Sequence, residues 1–106
     1  MRSIFLIACL ATSLLFAQSD RGSIIGIVSD PKARLVQHAE VQARNVETGK
    51  QYRAESNDTG QYRITALPAG TYEVSIALPH FEEVRVKDVK AGDVEPARVD
   101  LILRPR

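Results

Sequence analysis

The stretch GQYRITALPAGTYEVSI, running from Gly60 to Ile76, decides the fold. In its first half Tyr62 and Ile64 alternate with Gln61, Arg63 and Thr65. In its second half Tyr72, Val74 and Ile76 alternate with Glu73 and Ser75. Successive side chains of a strand point to opposite faces, so this period of two reads as two half-buried strands. Pro68-Ala69-Gly70 breaks the chain between them with turn residues.

The same pattern extends in both directions. Val41 and Ala43 alternate with Glu40, Gln42 and Arg44, and Tyr52 and Ala54 with Gln51, Arg53 and Glu55. Val84 and Val86 alternate with Glu83, Arg85 and Lys87, and Val99, Leu101 and Leu103 with Arg98, Asp100 and Arg104. Gly22 to Val28 (GSIIGIV) adds a first strand that is apolar on both faces and so is expected to be central or covered. Asp30-Pro31, Thr48-Gly49, Asn57-Asp58-Thr59-Gly60, Leu78-Pro79 and Ala91-Gly92-Asp93 punctuate these runs at the spacing of a small sandwich or barrel, and Thr48-Gly49 and Asn57-Asp58-Thr59-Gly60 are expected to close hairpins. No stretch has the period of an amphipathic helix. The expected fold is all-β: a seven-stranded antiparallel Greek-key β-sandwich whose apolar faces pack together.

Ahead of it, Met1-Arg2-Ser3 is followed by an almost wholly apolar run from Ile4 to Phe16, and then by polar Gln18-Ser19-Asp20-Arg21. A short basic region before an apolar run of about 7–15 residues is the pattern of a secretory signal peptide. The run is short for a membrane span, which needs roughly 20 apolar residues. The expected organisation is a signal peptide over 1–17, cut after Ala17, a linker over 18–21 and one domain over 22–104. Leu6-Ile7-Ala8-Cys9 resembles a lipobox, but the apolar run continues past Cys9, so the cysteine reads as part of the signal. Roughly 90 remaining residues suffice for one modest core.

The chain has 106 residues, 14 basic and 13 acidic side chains and a formal charge of +1. Removing Arg2 with the signal leaves 13 of each sign. Such balance argues against nucleic acid as a partner, which needs a cationic excess. One cysteine excludes an internal disulfide framework, and two histidines leave little for catalysis. His80-Phe81-Glu82-Glu83 contains H-x-x-E, a zinc-ligand spacing, but His38 is the only other histidine and both read as loop residues. G-x-S-x-G and phosphate-binding glycine loops are absent. Asn57-Asp58-Thr59 matches a glycosylation acceptor and reads first as a turn. Gln51-Tyr52-Arg53 and Gln61-Tyr62-Arg63 read as two strands sharing one in-and-out pattern. No catalytic, cofactor or metal residue is assigned.

The punctuation itself resembles a family. It runs Gly26-x-Val28-x-Asp30, Ala39-x-Val41-x-Ala43, Asn45-x-x-Thr48-Gly49, Thr59-Gly60-x-Tyr62, Leu67-Pro68-Ala69-Gly70-x-Tyr72-x-Val74 and Phe81. In this order and spacing it looks like a carboxypeptidase regulatory-like domain, a carbohydrate-binding-like or transthyretin-like sandwich, over roughly Gly22 to Leu103. The resemblance implies a non-enzymatic accessory module. In metallocarboxypeptidases such a domain accompanies a catalytic domain; in many bacterial proteins a similar one follows the signal peptide of a TonB-dependent outer-membrane receptor. The implied location is the periplasm, outer membrane or extracellular medium. The implied partner is another protein or the rest of a larger envelope protein. Membrane contact would come only through a barrel outside this sequence or an uncleaved signal. A carbohydrate-binding role is the alternative, with Phe81 as the ligand contact because all three tyrosines alternate inward, and a small hydrolase using His38 or His80 is the remote alternative. Two related sandwiches fit less well. No asparagine follows Asn57 to make an isopeptide bond, and Leu103-Arg-Pro-Arg106 lacks the tail of hydroxyisourate hydrolases.

Overall fold

The computed structural model describes residues 21–106, and the expected signal peptide with most of the linker lies outside them. The alternating runs form strands β1 (Gly22–Ser29), β2 (Glu40–Asn45), β3 (Gln51–Glu55), β4 (Gln61–Leu67), β5 (Gly70–Ile76), β6 (Val84–Ala91), β7 (Ala97–Arg98) and β8 (Leu101–Ile102). They make two sheets. One has the order β4-β1-β7 with β8 also on β1, and the other is β3-β2-β5-β6. β7 and β8 are consecutive pieces lying along the same strand, so together they are the expected seventh strand.

The inward positions of both sheets meet in a single apolar core. Ile24 and Val28 of β1, Ile64 of β4 and Leu101 come from one sheet; Val41, Ala43, Tyr72, Val74 and Ile76 come from the other. Close packing of aliphatic side chains from two sheets is what the period-two alternation provides for. Two polar side chains are buried within this frame, and each is satisfied. Asn45 Oδ1 accepts the backbone N–H groups of Glu47 and Thr48, which ties down the β2–β3 turn. Ser56 Oγ accepts from Ala39 N–H and donates to the Val36 carbonyl.

Three features depart from the sequence reading. First, the last strand is not antiparallel: β7 and β8 both run parallel to β1. The reason is where β6 ends. Gly70 pairs with Ala91, Gly22 pairs with Leu67, and Gly92 lies against Gly22. The short crossing after β6 therefore delivers the chain to the start of β1, and it can only run alongside in the same direction. Second, Asn57 to Gly60 does not close a hairpin. β3 and β4 belong to different sheets, so this turn is a corner between layers. Asn57 Oδ1 accepts from Thr59 N–H, Thr59 Oγ1 and Gln61 N–H, and Gly60 takes the left-handed φ of 75° that a residue with a Cβ resists. Tyr52 and Tyr62 consequently face the core from opposite sheets, Tyr52 half-buried and Tyr62 buried. Third, both long edge strands carry bulges. Ser23 faces Thr65 and Ala66, and Glu73 faces Lys87 and Asp88, with φ of 57° at Ala66 and 60° at Asp88. Bulges twist an edge and make it a poor template for another strand.

The junction of β7 and β8 carries a local device. Val99 N–H donates to the Ile25 carbonyl, but the next ladder acceptor is a side chain: Ile27 N–H donates to Asp100 Oδ1 at 3.0 Å. The Val99 carbonyl turns toward the core instead, where the Tyr62 hydroxyl donates to it. Burial, with the nearby Asp100 carboxylate, pushes the Tyr62 hydroxyl pKa well above the ordinary tyrosine range. Tyr62 is therefore a neutral donor at any pH at which the protein is handled.

Asp30 ends β1 with a similar economy. Its carboxylate accepts the N–H groups of Lys32 and Arg34 and pairs with the Arg34 guanidinium at 2.8 Å. These donors, the Arg34 N–H foremost, hold its pKa below the ordinary value of 3.8 against an opposing effect of desolvation. A depressed folded-state pKa stabilises the fold at pH above the unfolded value, and that stabilisation is lost as pH falls through the folded value. Asp30→Asn is therefore expected to be less stable than the parent at neutral pH, with the difference shrinking as pH drops below 3.8. Urea unfolding of both proteins at neutral and acid pH checks this; curves that stay a constant distance apart would show that the charge of Asp30 is irrelevant.

Candidate interaction surface

Candidate sites are set by what the two sheets present outward. On β3-β2-β5-β6 the outward positions are polar and largely paired. Arg85 meets Glu73 at 3.2 Å and Glu83 at 2.8 Å, and Arg53 meets Glu40 at 3.3 Å. This face is a solvated charge mosaic.

The outer face of β4-β1-β7 is different. β1 is the middle strand of its sheet, and its outward residues include Ile25 and Ile27, both half-buried only by their neighbours. In register with Ile25 stand Arg63 on one side and Arg98 on the other; in register with Ile27 stands Gln61. Glu55 and Asn57 from the inter-sheet corner close one end. Together these side chains line an open cleft of about 430 Å³. Further along the same face Ile102, opposite Ser29, is 54% exposed. Arg98 pairs at 3.3 Å with Asp100, two residues away on its own strand. Arg63 has no ion-pair partner among the described residues.

The residues singled out in the sequence lie elsewhere. Phe81 sits between β5 and β6, half-buried against the core, and forms an isolated antiparallel bridge with Pro105. Its carbonyl accepts from Arg106 Nε at 3.0 Å. His38 and His80 are both in connecting segments, with φ of 56° and 72°. His38 Nδ1 is 3.7 Å from Glu55 Oε1, and the His80 carbonyl accepts the Arg106 N–H. Among the described residues, no three His, Cys, Asp or Glu side chains are grouped so as to hold a metal ion. The sequence reading assigned no role to Ile25, Ile27, Arg63 or Arg98. The signal that points to them was present: β1 is apolar on both faces, yet among the described residues no third layer covers its outer one.

The residues that carry the punctuation are now all placed, and they are turn and core positions. The family model for the carboxypeptidase regulatory-like domain matches residues 23–104. The chain belongs to this family. No curated protein matches it in sequence. Among solved structures, a protein from Bacteroides uniformis for which carbohydrate binding has been suggested is 25% identical, with a TM-score of 0.60 over 78% of this chain and 41% of that one. The pilus 2b backbone protein of group B streptococcus aligns at 16% identity with a TM-score of 0.60, over 80% of this chain and 41% of that one. Hydroxyquinol 1,2-dioxygenase from Pseudomonas putida aligns at 9% identity with a TM-score of 0.57, over 79% of this chain and 56% of that one. This chain spans less than two thirds of each of these proteins. One sandwich thus recurs in proteins of unrelated activity, as expected when function is grafted on a fold rather than dictated by it. Among the described residues no helix is long and apolar enough to cross a membrane.

Proposed function

We propose that this carboxypeptidase regulatory-like domain is an exported, non-catalytic accessory module of a bacterial envelope protein, working through contacts of its faces with a protein partner or with the rest of a longer chain. The observation that carries this reading is the family match over 23–104, in which the matched residues serve the fold. Gly60, Tyr62, Gly70 and Tyr72 shape corners and core. The apolar run before residue 18 supports export, and its position ahead of the sandwich suits the N-terminal module of a TonB-dependent receptor.

A second reading, carbohydrate binding, draws on the Bacteroides uniformis neighbour at 25% identity and on Phe81. Sugar rings stack on open aromatic faces. Phe81 is packed against the core and bridged to Pro105, which leaves it a small platform and makes this the weaker reading.

Fractionation of the source organism, blotted with an antibody against 22–103, tests the leading reading. The expected result is an envelope or extracellular product without peptidase or esterase activity. A cytoplasmic product, or hydrolysis abolished by His38→Ala or His80→Ala, would overturn it. Glycan binding lost in Phe81→Ala would move the assignment to the second reading.

A further inference from the structure

We infer that the outer face of β4-β1-β7 is a docking surface for an extended protein segment whose sheet-facing positions alternate between aliphatic and acidic side chains. This rests on the module reading and names the surface through which the module works. Ile25 and Ile27 form an aliphatic floor that no element of the described chain covers, whereas the opposite sheet shows water a paired, polar face. Arg63 and Arg98 flank Ile25 in one row across the sheet. Neighbouring strands are about 4.8 Å apart, so the two Cα atoms stand about 10 Å apart with the isoleucine between them.

Glu55 closes one end of the cleft, and the charges beside Ile25 are arranged to receive carboxylates. Arg63 has no ion pair among the described residues. Arg98 is held by Asp100 in a pair whose side chains are 58% and 50% exposed, and such pairs are weak and readily exchanged. An extended segment that crosses the strands and sets one aliphatic side chain on the floor has its next side chains on the same face, two residues before and after it, about 7 Å to either side. Long guanidinium side chains on either flank can reach both.

Other occupants fit less well. The floor is aliphatic, and the tyrosine at its edge, Tyr62, is buried with 3% exposure, so the cleft offers no open ring for a sugar. A second copy would have to use a face three strands wide and eight residues long. That is about 400 Å², half of the roughly 800 Å² per partner typical of a stable complex.

The test is titration of the isotope-labelled chain, followed by amide chemical shifts, with three probes. These are an acetylated Asp-Ser-Leu-Ser-Asp-Ser-Val peptide, the same peptide with Lys in place of Asp, and an oligogalacturonate. The acidic peptide is expected to shift Ile25, Ile27, Arg63 and Arg98, and the basic one to leave them in place. Arg63→Glu, on an exposed edge position, is expected to weaken the acidic peptide at least ~10-fold and to create affinity for the basic one, a reversal that loss of folding cannot imitate. Arg44→Glu, on the opposite sheet, should change neither. Shifts from the oligogalacturonate alone, from both peptides equally, on the other sheet, or from no probe overturn the inference. None of those results touches the module reading, which falls only to the fractionation and hydrolysis measurements above.

Discussion

Gly26→Ala is expected to be the most damaging single-methyl change in the chain. Gly26 faces the core from the middle of β1, and a Cβ built there would lie 1.8 Å from the Val99 carbonyl oxygen and 2.9 Å from Tyr62 Cε1. The oxygen belongs to the backbone of the seventh strand, so no rotamer change relieves the overlap. Its position is also fixed from the other side, because the Tyr62 hydroxyl donates to it and Asp100 has taken over the ladder bond to Ile27 N–H. Accommodating the methyl means lifting β7 and β8 off β1, which exposes Leu101 and Leu103. Overpacking of a rigid site commonly costs about 1–3 kcal/mol. Peeling a strand as well should bring the loss to at least ~3 kcal/mol, a large share of the stability of a domain of this size. Denaturant unfolding or a melting curve decides it. A loss below about 1 kcal/mol would mean that the last strand does not lie over Gly26 as described.

Tyr72→Ala should cost about 3–5 kcal/mol, the range for truncating a large buried aromatic side chain. The ring is fully buried in β5, meets Tyr52 edge-on at 6.1 Å, and its hydroxyl donates to the Pro68 carbonyl at 2.6 Å. That hydrogen bond spans the β4–β5 corner, so one side chain both fills the core and holds the turn between sheets. Tyr72→Phe separates the two roles: it keeps the ring and removes the bond, for an expected loss of about 1 kcal/mol. If Tyr72→Ala lost less than about 1 kcal/mol, the strand register would be wrong by one residue, because a one-residue slip exchanges the two faces.

Much of this was legible in the chain itself. The alternation in Gln61 to Ile76 places Tyr62, Ile64, Tyr72, Val74 and Ile76 inside, and all five are buried. The alternation of a half-buried strand is a local property, set by which side of the pleat each residue meets, so it survives without knowledge of the partners. Turn chemistry was legible for the same reason: Gly60 and Asn57 act within a few residues of themselves. The candidate surface was not. Arg63 and Arg98 are far apart in sequence and become neighbours of Ile25 only because β4 and β7 flank β1. Phe81, chosen as the ligand contact, lies half-buried against the core, with its backbone bridged to that of Pro105 near the other end of the sequence.

The amino-acid sequence by itself determined the all-β class, the strands and which side of each is buried. It also determined the family, because the turn glycines and inward tyrosines act locally and recur at set spacing. Only the tertiary structure decided which strands became neighbours. It turned the expected β3–β4 hairpin into a corner between sheets. It laid the last strand parallel to β1, because β6 ends beside the start of β1. It also left one outer sheet face ion-paired and the other apolar between two arginines. Pairing between distant strands depends on where each crossing delivers the chain, and a period-two pattern carries no record of that.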